Sequence, residues 1–218
     1  MFLDESFVIG AFELGIVVTS PPWYENCYLV RHKPSGEQVI VDPGGDPGRI
    51  VETARERTGV LKEILLTHGH PDHIGGTRKV QDAFGIGCRA HVDEEAVISR
   101  AGGFAAALGI QAFEGPKDCG YFEGEPEMTL GGVPFRVLHT PGHTPGGVCF
   151  LFDGFALTGD TLFNHGVGRT DFPGGDARQL SLSITRLLDS VPEGTLLFSG
   201  HGPHWAAGEA KRWWRSMI

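Results

Sequence analysis

Residues 67–76 read THGHPDHIGG, so three histidines and an aspartate fall within six residues. Few stretches constrain a fold as tightly. His68 and His70 are two apart, and in extended chain such residues point the same way. Asp72 and His73 are neighbours at the start of a turn and face elsewhere. Any fold this chain adopts must deliver that turn to a place where imidazoles and a carboxylate can converge, and must hold it still. The apolar run EILLT just before it reads as the strand that does so.

The same arrangement recurs along the chain. The strand-like run VPFRVLH passes through TPG to His143, GFALTG ends at Asp160, and TLLFSG ends at His201. Loops at strand ends carry chemistry while the strands hold them rigid. Five histidines and two carboxylates thus emerge from four strand ends. Imidazole nitrogen and carboxylate oxygen suit zinc, and also iron or manganese. One tetrahedral zinc takes about four ligands, so seven fit two ions with a shared carboxylate. His68 and His70 would grip one ion, and Asp72 and His73 would reach the other. His32, His91, His139 and His204 read as ordinary structural or surface histidines. His165, close after Asp160, and Trp205 have no role assigned by the pattern.

Around these turns, LGIVVTS, NCYLVRH, EQVIVD, GCRAHV and VCFLFD read as strands, the last pairing with GFALTG in a hairpin. Helices are expected over 49–57, begun by Asp46 and Pro47, over 74–84, through DEEAVISR and over 176–189. The last of these sets Leu180, Ile184, Leu187 and Leu188 on one face, and a final short helix follows Ala206. Residues 101–126 show no clean period and read as an irregular excursion with a short helix. Strands preceding helices in each half predict two mixed sheets covered by helices on their outer faces. The 33 glycines, about twice the usual ~7% share, demand many tight turns and close backbone approaches.

Composition excludes some partners. A formal charge of −9 disfavours nucleic acid and anionic membrane. No apolar run reaches the ~18 residues of a membrane span, and the start carries acids where a secretory leader carries basic residues. The chain is therefore expected to be cytoplasmic. Cys27, Cys88, Cys119 and Cys149 form no C-x-x-C pair and read as free thiols.

The motifs THGHPDHIGG, TPGHTPGG, TGDTLF and SGHGP, in that order, resemble the metallo-β-lactamase-fold superfamily over nearly the whole chain. The resemblance implies an α/β fold, a four-layer αββα sandwich of two mixed β-sheets flanked by helices, with metals at one edge between the sheets. Within it, GVGRTDFPGGD over 166–176 resembles the small bacterial branch of the glyoxalase II-like hydroxyacylglutathione hydrolases. Carried onto this chain, His68, His70 and His143 would hold the first ion, Asp72, His73 and His201 the second, and Asp160 would bridge them. The full glyoxalase II enzymes carry a further helical domain after the last histidine. Here 17 residues follow His201 (218 − 201), so residues 1–218 are expected to form a single domain without that substrate domain.

The activity implied is hydrolysis of an S-acyl glutathione-type thioester by a metal-bridged hydroxide that Asp72 orients. The cofactors would be two divalent ions, zinc first, with iron or manganese as alternatives. Arg169 is the candidate for binding a substrate carboxylate, with a rival role in tying Asp171 and its loop in place. The chain also resembles persulfide dioxygenases, which share the GRTDF stretch and use one iron at the positions of His68, His143 and Asp160. Gly202 and Pro203 after His201, and the Gly-Gly-Asp after Pro173, favour the hydrolase. Hydrolysis of a lactone or another ester is a further alternative, and a metal-dependent scaffold is the non-enzymatic one. The expected partner is a small molecule.

Overall fold

A computed structural model of the chain describes residues 4–21, 23–110 and 113–217. Its first half forms a seven-stranded sheet of β1 (Glu5–Ile9), β2 (Phe12–Val18), β3 (Asn26–His32), β4 (Glu37–Val41), β5 (Val60–Leu65), β6 (Cys88–His91) and β7 (Cys119–Phe122), ordered as in the chain. The pairs from β1 to β4 are antiparallel and those from β4 to β7 parallel. The crossovers carry α1 (Pro47–Glu56), the short α2 (Pro71–Ile74), α3 (Thr77–Phe84) and α4 (Glu95–Ala107), the last entered through a 3-10 turn at Val92–Glu94.

The second half forms a six-stranded mixed sheet. It contains β8 (Glu127–Leu130), β9 (Val133–His139), β10 (Val148–Phe152), β11 (Phe155–Gly159), β14 (Leu196–Ser199) and β15 (Trp205–Ala206), in the order β15-β14-β11-β10-β9-β8. Between β11 and β14 lie a two-stranded ribbon, β12 (Leu162–Phe163) with β13 (Gly166–Val167), and helix α5 (Ala177–Ser190). Helix α6 (Ala207–Arg215) follows β15.

Alternation along the strands builds the layers. In β3, Tyr28 and Val30 face the second sheet while Cys27 and Leu29 face α1, α3 and α4. In β10, Phe150 and Phe152 face the first sheet while Cys149 and Leu151 face α5 and α6. Both faces of each sheet are therefore apolar, and the central strands read as continuous hydrophobic runs rather than as alternating ones. The core between the sheets is aromatic. Phe152 and Phe155 stack at 4.7 Å, Phe135 stacks on Phe152 at 4.5 Å, and Phe12 meets Phe152 edge-on at 5.3 Å. The result is four layers, helix–sheet–sheet–helix, as the resemblance implied.

Several elements depart from the sequence expectation. The helix expected over 74–84 is broken at Gly75 and Gly76, because the Gly76 amide turns to the Pro43 carbonyl. A Cβ at Gly76 would lie 2.8 Å from the carbonyl oxygens of both Pro43 and Gly44, so only glycine fits there. Residues 101–126 are more regular than expected: α4 continues through Ala107, and β7 adds a seventh strand. That helix buries only Ala101 and Ala105, one narrow stripe of small residues, which leaves little periodicity to read. The edge strand β1 and the four-residue β8 also escaped the pattern; β1 buries no residue fully. The four cysteines are free thiols, as expected.

Candidate metal centre

The polar strand ends meet at one edge between the two sheets. β5 delivers Thr67, His68 and His70. Pro71 then starts α2, a turn whose His73 amide hydrogen-bonds to the His70 carbonyl. Loops after β9, β11 and β14 bring His143, Asp160 and His201. Ligand atoms of His68, His70 and His143 lie within 4.8 Å of one another, and so do those of Asp72, His73 and His201. Asp160 stands between the two groups. Its Oδ1 is 3.2 Å from His73 Nε2, and its Oδ2 is 3.5 Å from His143 Nε2 and 3.7 Å from His201 Nε2. Asp72 Oδ2 is 3.3 Å from His201 Nε2.

The donor set fits two metal ions on an independent ground. Buried polar atoms nearly always have a hydrogen-bond partner. Here His68 Nε2, His73 Nε2, His143 Nε2 and Asp160 Oδ1 are buried, have none, and converge on one spot. His73 Nε2 and Asp160 Oδ1 are close yet lack the alignment of a hydrogen bond. The opposite ring nitrogens are anchored. His73 Nδ1 meets Asp42 Oδ2 at 3.0 Å, His143 Nδ1 donates to the Arg169 carbonyl at 2.7 Å, and His201 Nδ1 donates to the Trp23 carbonyl at 3.0 Å. Such outer contacts fix the tautomer and turn the free lone pair inward.

Burial and charge divide the residues. Burial holds His68 well below the usual histidine range and lowers His70 to about 3, so both rings are neutral and offer lone pairs. At His73 burial pulls down, but Asp160 and Asp72 outweigh it and shift the ring above the usual histidine range. Burial would raise Asp160 and Asp72, yet the neighbouring histidines, His73 foremost, keep both carboxyls below their ordinary value.

Three acidic residues behind the centre were not singled out from the sequence. Asp42, in the VDPGG turn after β4, accepts the Thr67 amide at 2.7 Å, the Thr67 hydroxyl and His73 Nδ1. Glu94 is fully buried and accepts the amides of Gly69 and Gly146, each at 2.7 Å, thereby tying the His68–His70 loop to the His143 loop. Glu25 is also fully buried and neither carboxyl oxygen has a partner; burial first, then Asp42, Asp72 and Asp160, hold it well above the ordinary value, with His73 opposing. Asp42 carried the one available signal, a carboxylate at the end of an apolar strand. Glu94 and Glu25 sit among polar neighbours in sequence, and nothing there marks them as buried.

The remaining candidates are placed as follows. Arg169 grips Asp171 with two bonds of 2.7 Å, and its guanidinium lies 3.6 Å above the Phe172 ring. His204 stacks on Phe198 at 5.1 Å, and Trp205 is buried against Trp213 and His165, so these residues pack rather than line the centre. His91, Asp93 and His139 form a separate cluster. There the two rings stack 4.2 Å apart at 14°, His91 Nδ1 accepts the Asp93 amide, and His139 Nε2 meets the Pro145 carbonyl. His91 Nδ1 and His139 Nε2 are thereby engaged, while His91 Nε2 is buried without a partner.

Residues 20–201 match the family described as the Metallo-beta-lactamase superfamily. Hydroxyacylglutathione hydrolase GloC of Haemophilus influenzae is 32% identical over 200 residues, 90% of this chain and 94% of that protein. Among solved structures, TTHA1623 in a di-iron-bound form aligns with a TM-score of 0.79 at 36% identity, covering 89% of this chain and 96% of that one. ETHE1 from Myxococcus xanthus aligns with a TM-score of 0.71 at 26% identity, covering 92% and 81%.

Proposed function

The chain belongs to the metallo-beta-lactamase superfamily, and from that premise we infer that it is a metal-dependent hydrolase of the glyoxalase II-like kind, cleaving S-acyl glutathione-type thioesters. The observation that carries the reading is the convergence of seven donors in two groups about Asp160, with four buried donor atoms left unpartnered. His68, His70 and His143 would hold one ion, Asp72, His73 and His201 the other, and Asp160 both. Two divalent ions held there, zinc first with iron or manganese as alternatives, would supply a Lewis acid and lower the pKa of water to around 7.

The chain's own residues do the rest. Asp72 directs Oδ2 toward His201, and its second oxygen is the group to accept a hydrogen bond from the attacking water and aim it at the substrate carbonyl. Asp42 and Glu94 hold the ligand loops in register, so no reorganisation is needed when charge develops on the carbonyl oxygen. No side-chain nucleophile is needed. Arg169 acts by holding its loop: its fork is filled by Asp171, while its carbonyl orients His143.

Metal content and turnover measured on the same preparation test this reading. Two ions per chain with release of free thiol from S-lactoylglutathione or another S-acylglutathione is the expected result. One iron per chain with oxygen uptake on glutathione persulfide would replace it with the dioxygenase reading. Turnover of lactones or simple esters without thioesters would keep the hydrolase and discard the thioester.

A further inference from the structure

Two cavities adjoin the candidate metal centre, one at His70 and one at Asp72. One, of about 420 Å³, begins at His70 and is walled by Ala96, Val97, Phe104, Pro145 and Phe172. The other, of about 380 Å³, begins at Asp72 and carries Arg78, Lys79 and Glu114 beside Trp23, Ile110 and Phe113. The first is a prepared apolar site. Phe104 and Phe172 meet edge to face at 4.8 Å, and their centroids lie 5.4 and 5.8 Å from that of His70. Arg169, itself held by Asp171, covers Phe172 and fixes that ring. One wall is a single helical stripe of Ala96, Val97, Arg100 and Phe104, in which Arg100 is exposed and Phe104 reaches His70.

We propose that the cavity at His70 receives the acyl arm of the substrate, and that this arm is apolar, an aryl group or a chain of several methylenes, rather than a small hydroxyacyl group. The inference rests on the thioester reading and narrows it. A volume near 420 Å³ falls in the range of dedicated small-molecule sites, and a three-carbon hydroxyacyl group would leave most of it empty. Besides His70, only Asp93 and Arg100 offer the hydroxyl of such a group a polar side chain on that lining, and a buried hydroxyl without a partner is costly. An aryl arm can complete an edge-to-face cluster with Phe104 and Phe172. The cavity at Asp72 is mixed, and its Arg78, Lys79 and Glu114 offer a peptide-like thiol carrier the charged partners that the His70 cavity holds fewer of.

The test is a series of S-acylglutathiones, lactoyl, acetyl, butyryl, hexanoyl and phenylacetyl, measured as kcat/KM on the metal-loaded protein. Each added methylene should raise kcat/KM about four-fold, the equivalent of ~0.8 kcal/mol per buried methylene, until the cavity is full. Phenylacetyl should exceed lactoyl by at least about ten-fold. Phe104→Ala should collapse the hexanoyl-to-lactoyl ratio, whereas Phe104→Leu should keep the hexanoyl preference and lose the phenylacetyl one. Calorimetry gives a readout independent of turnover: phenylacetate should bind wild type more tightly than lactate does, and Phe104→Ala should abolish the difference. A flat or falling series, or ratios indifferent to Phe104→Ala, overturns this inference while leaving thioester hydrolysis intact. Absence of turnover on every thioester overturns both.

Discussion

At the scale of single residues, the carboxylate that matters most beyond the donor set is Glu94. It accepts one amide from each of the two loops that carry His68, His70 and His143. Glutamine cannot do the same, because its NH2 would confront one of the two N–H groups. Glu94→Gln is expected to fold and to bind metal ~10–100-fold more weakly, the usual cost of removing an outer partner; competition with a chelator of known affinity measures it. The same residue predicts a pH dependence. Burial raises its carboxyl to about 7 from 4.5. Between those values the unfolded chain has lost its proton and the folded chain keeps it, so stability falls as pH rises through the window and levels off above it. Below pH 4.5 both states are protonated and the residue contributes no slope. In denaturant titrations of metal-stripped protein, the stability of wild type relative to Glu94→Gln should fall by up to about 1.4 kcal/mol per pH unit across that window. Equal slopes for the two proteins would show that Glu94 is ionised throughout.

At the scale of elements, the centre depends on backbones that approach more closely than a side chain would permit. A Cβ on Gly44, in the turn after β4, would sit 1.6 Å from the Asp72 carbonyl oxygen and 2.6 Å from a Glu25 oxygen. The β4 turn is thus pressed against α2, and α2 carries Asp72 and His73. Gly44→Ala must push these apart. The second group of donors, Asp72, His73 and His201, should lose its ion before the first, so the purified variant should hold close to one ion per chain by elemental analysis. A variant that keeps both ions would mean that the two turns can separate without moving the donors. The break between α2 and α3 has the same origin. THGHPDHIGG runs on into a helical pattern, but the Gly76 amide is taken by Pro43 and not by the preceding helical turn.

At the scale of the molecule, two apolar sheet faces hold four ligand-bearing loops in mutual register. Phe155, fully buried between the sheets against Phe152 and Phe198, is a fair probe of that contact. Phe155→Ala should cost ~3–5 kcal/mol in a denaturant titration, and a much smaller loss would mean the sheets close over the gap. Ions held at the candidate centre would join both halves, since His68 and His70 come from the first sheet and His143, Asp160 and His201 from the second. Chelation should therefore lower Tm. An ion at a hundred times its Kd contributes ~2.7 kcal/mol, which for a chain of this length corresponds to roughly 5–10 °C. Restoring the ions should recover the transition, and a Tm indifferent to chelation would separate metal binding from the stability of the two-sheet assembly.

The sequence by itself determined the layered architecture and marked the candidate donors that the structure brings together. Both follow from local signals: apolar runs of strand length, amphipathic helices after them, and histidines and aspartates in glycine-rich turns at the strand ends. It left open whether Arg169 meets a substrate or Asp171, and it could not disclose that Glu94 and Glu25 lie fully buried or that an aromatic cavity adjoins His70. The buried glutamates and the cavity depend on what a residue meets from a distant part of the chain. Glu94 joins loops 52 residues apart from it on one side and 25 on the other. Burial, shared hydrogen bonds and cavity walls are properties of such long-range packing, and tertiary structure alone decides them.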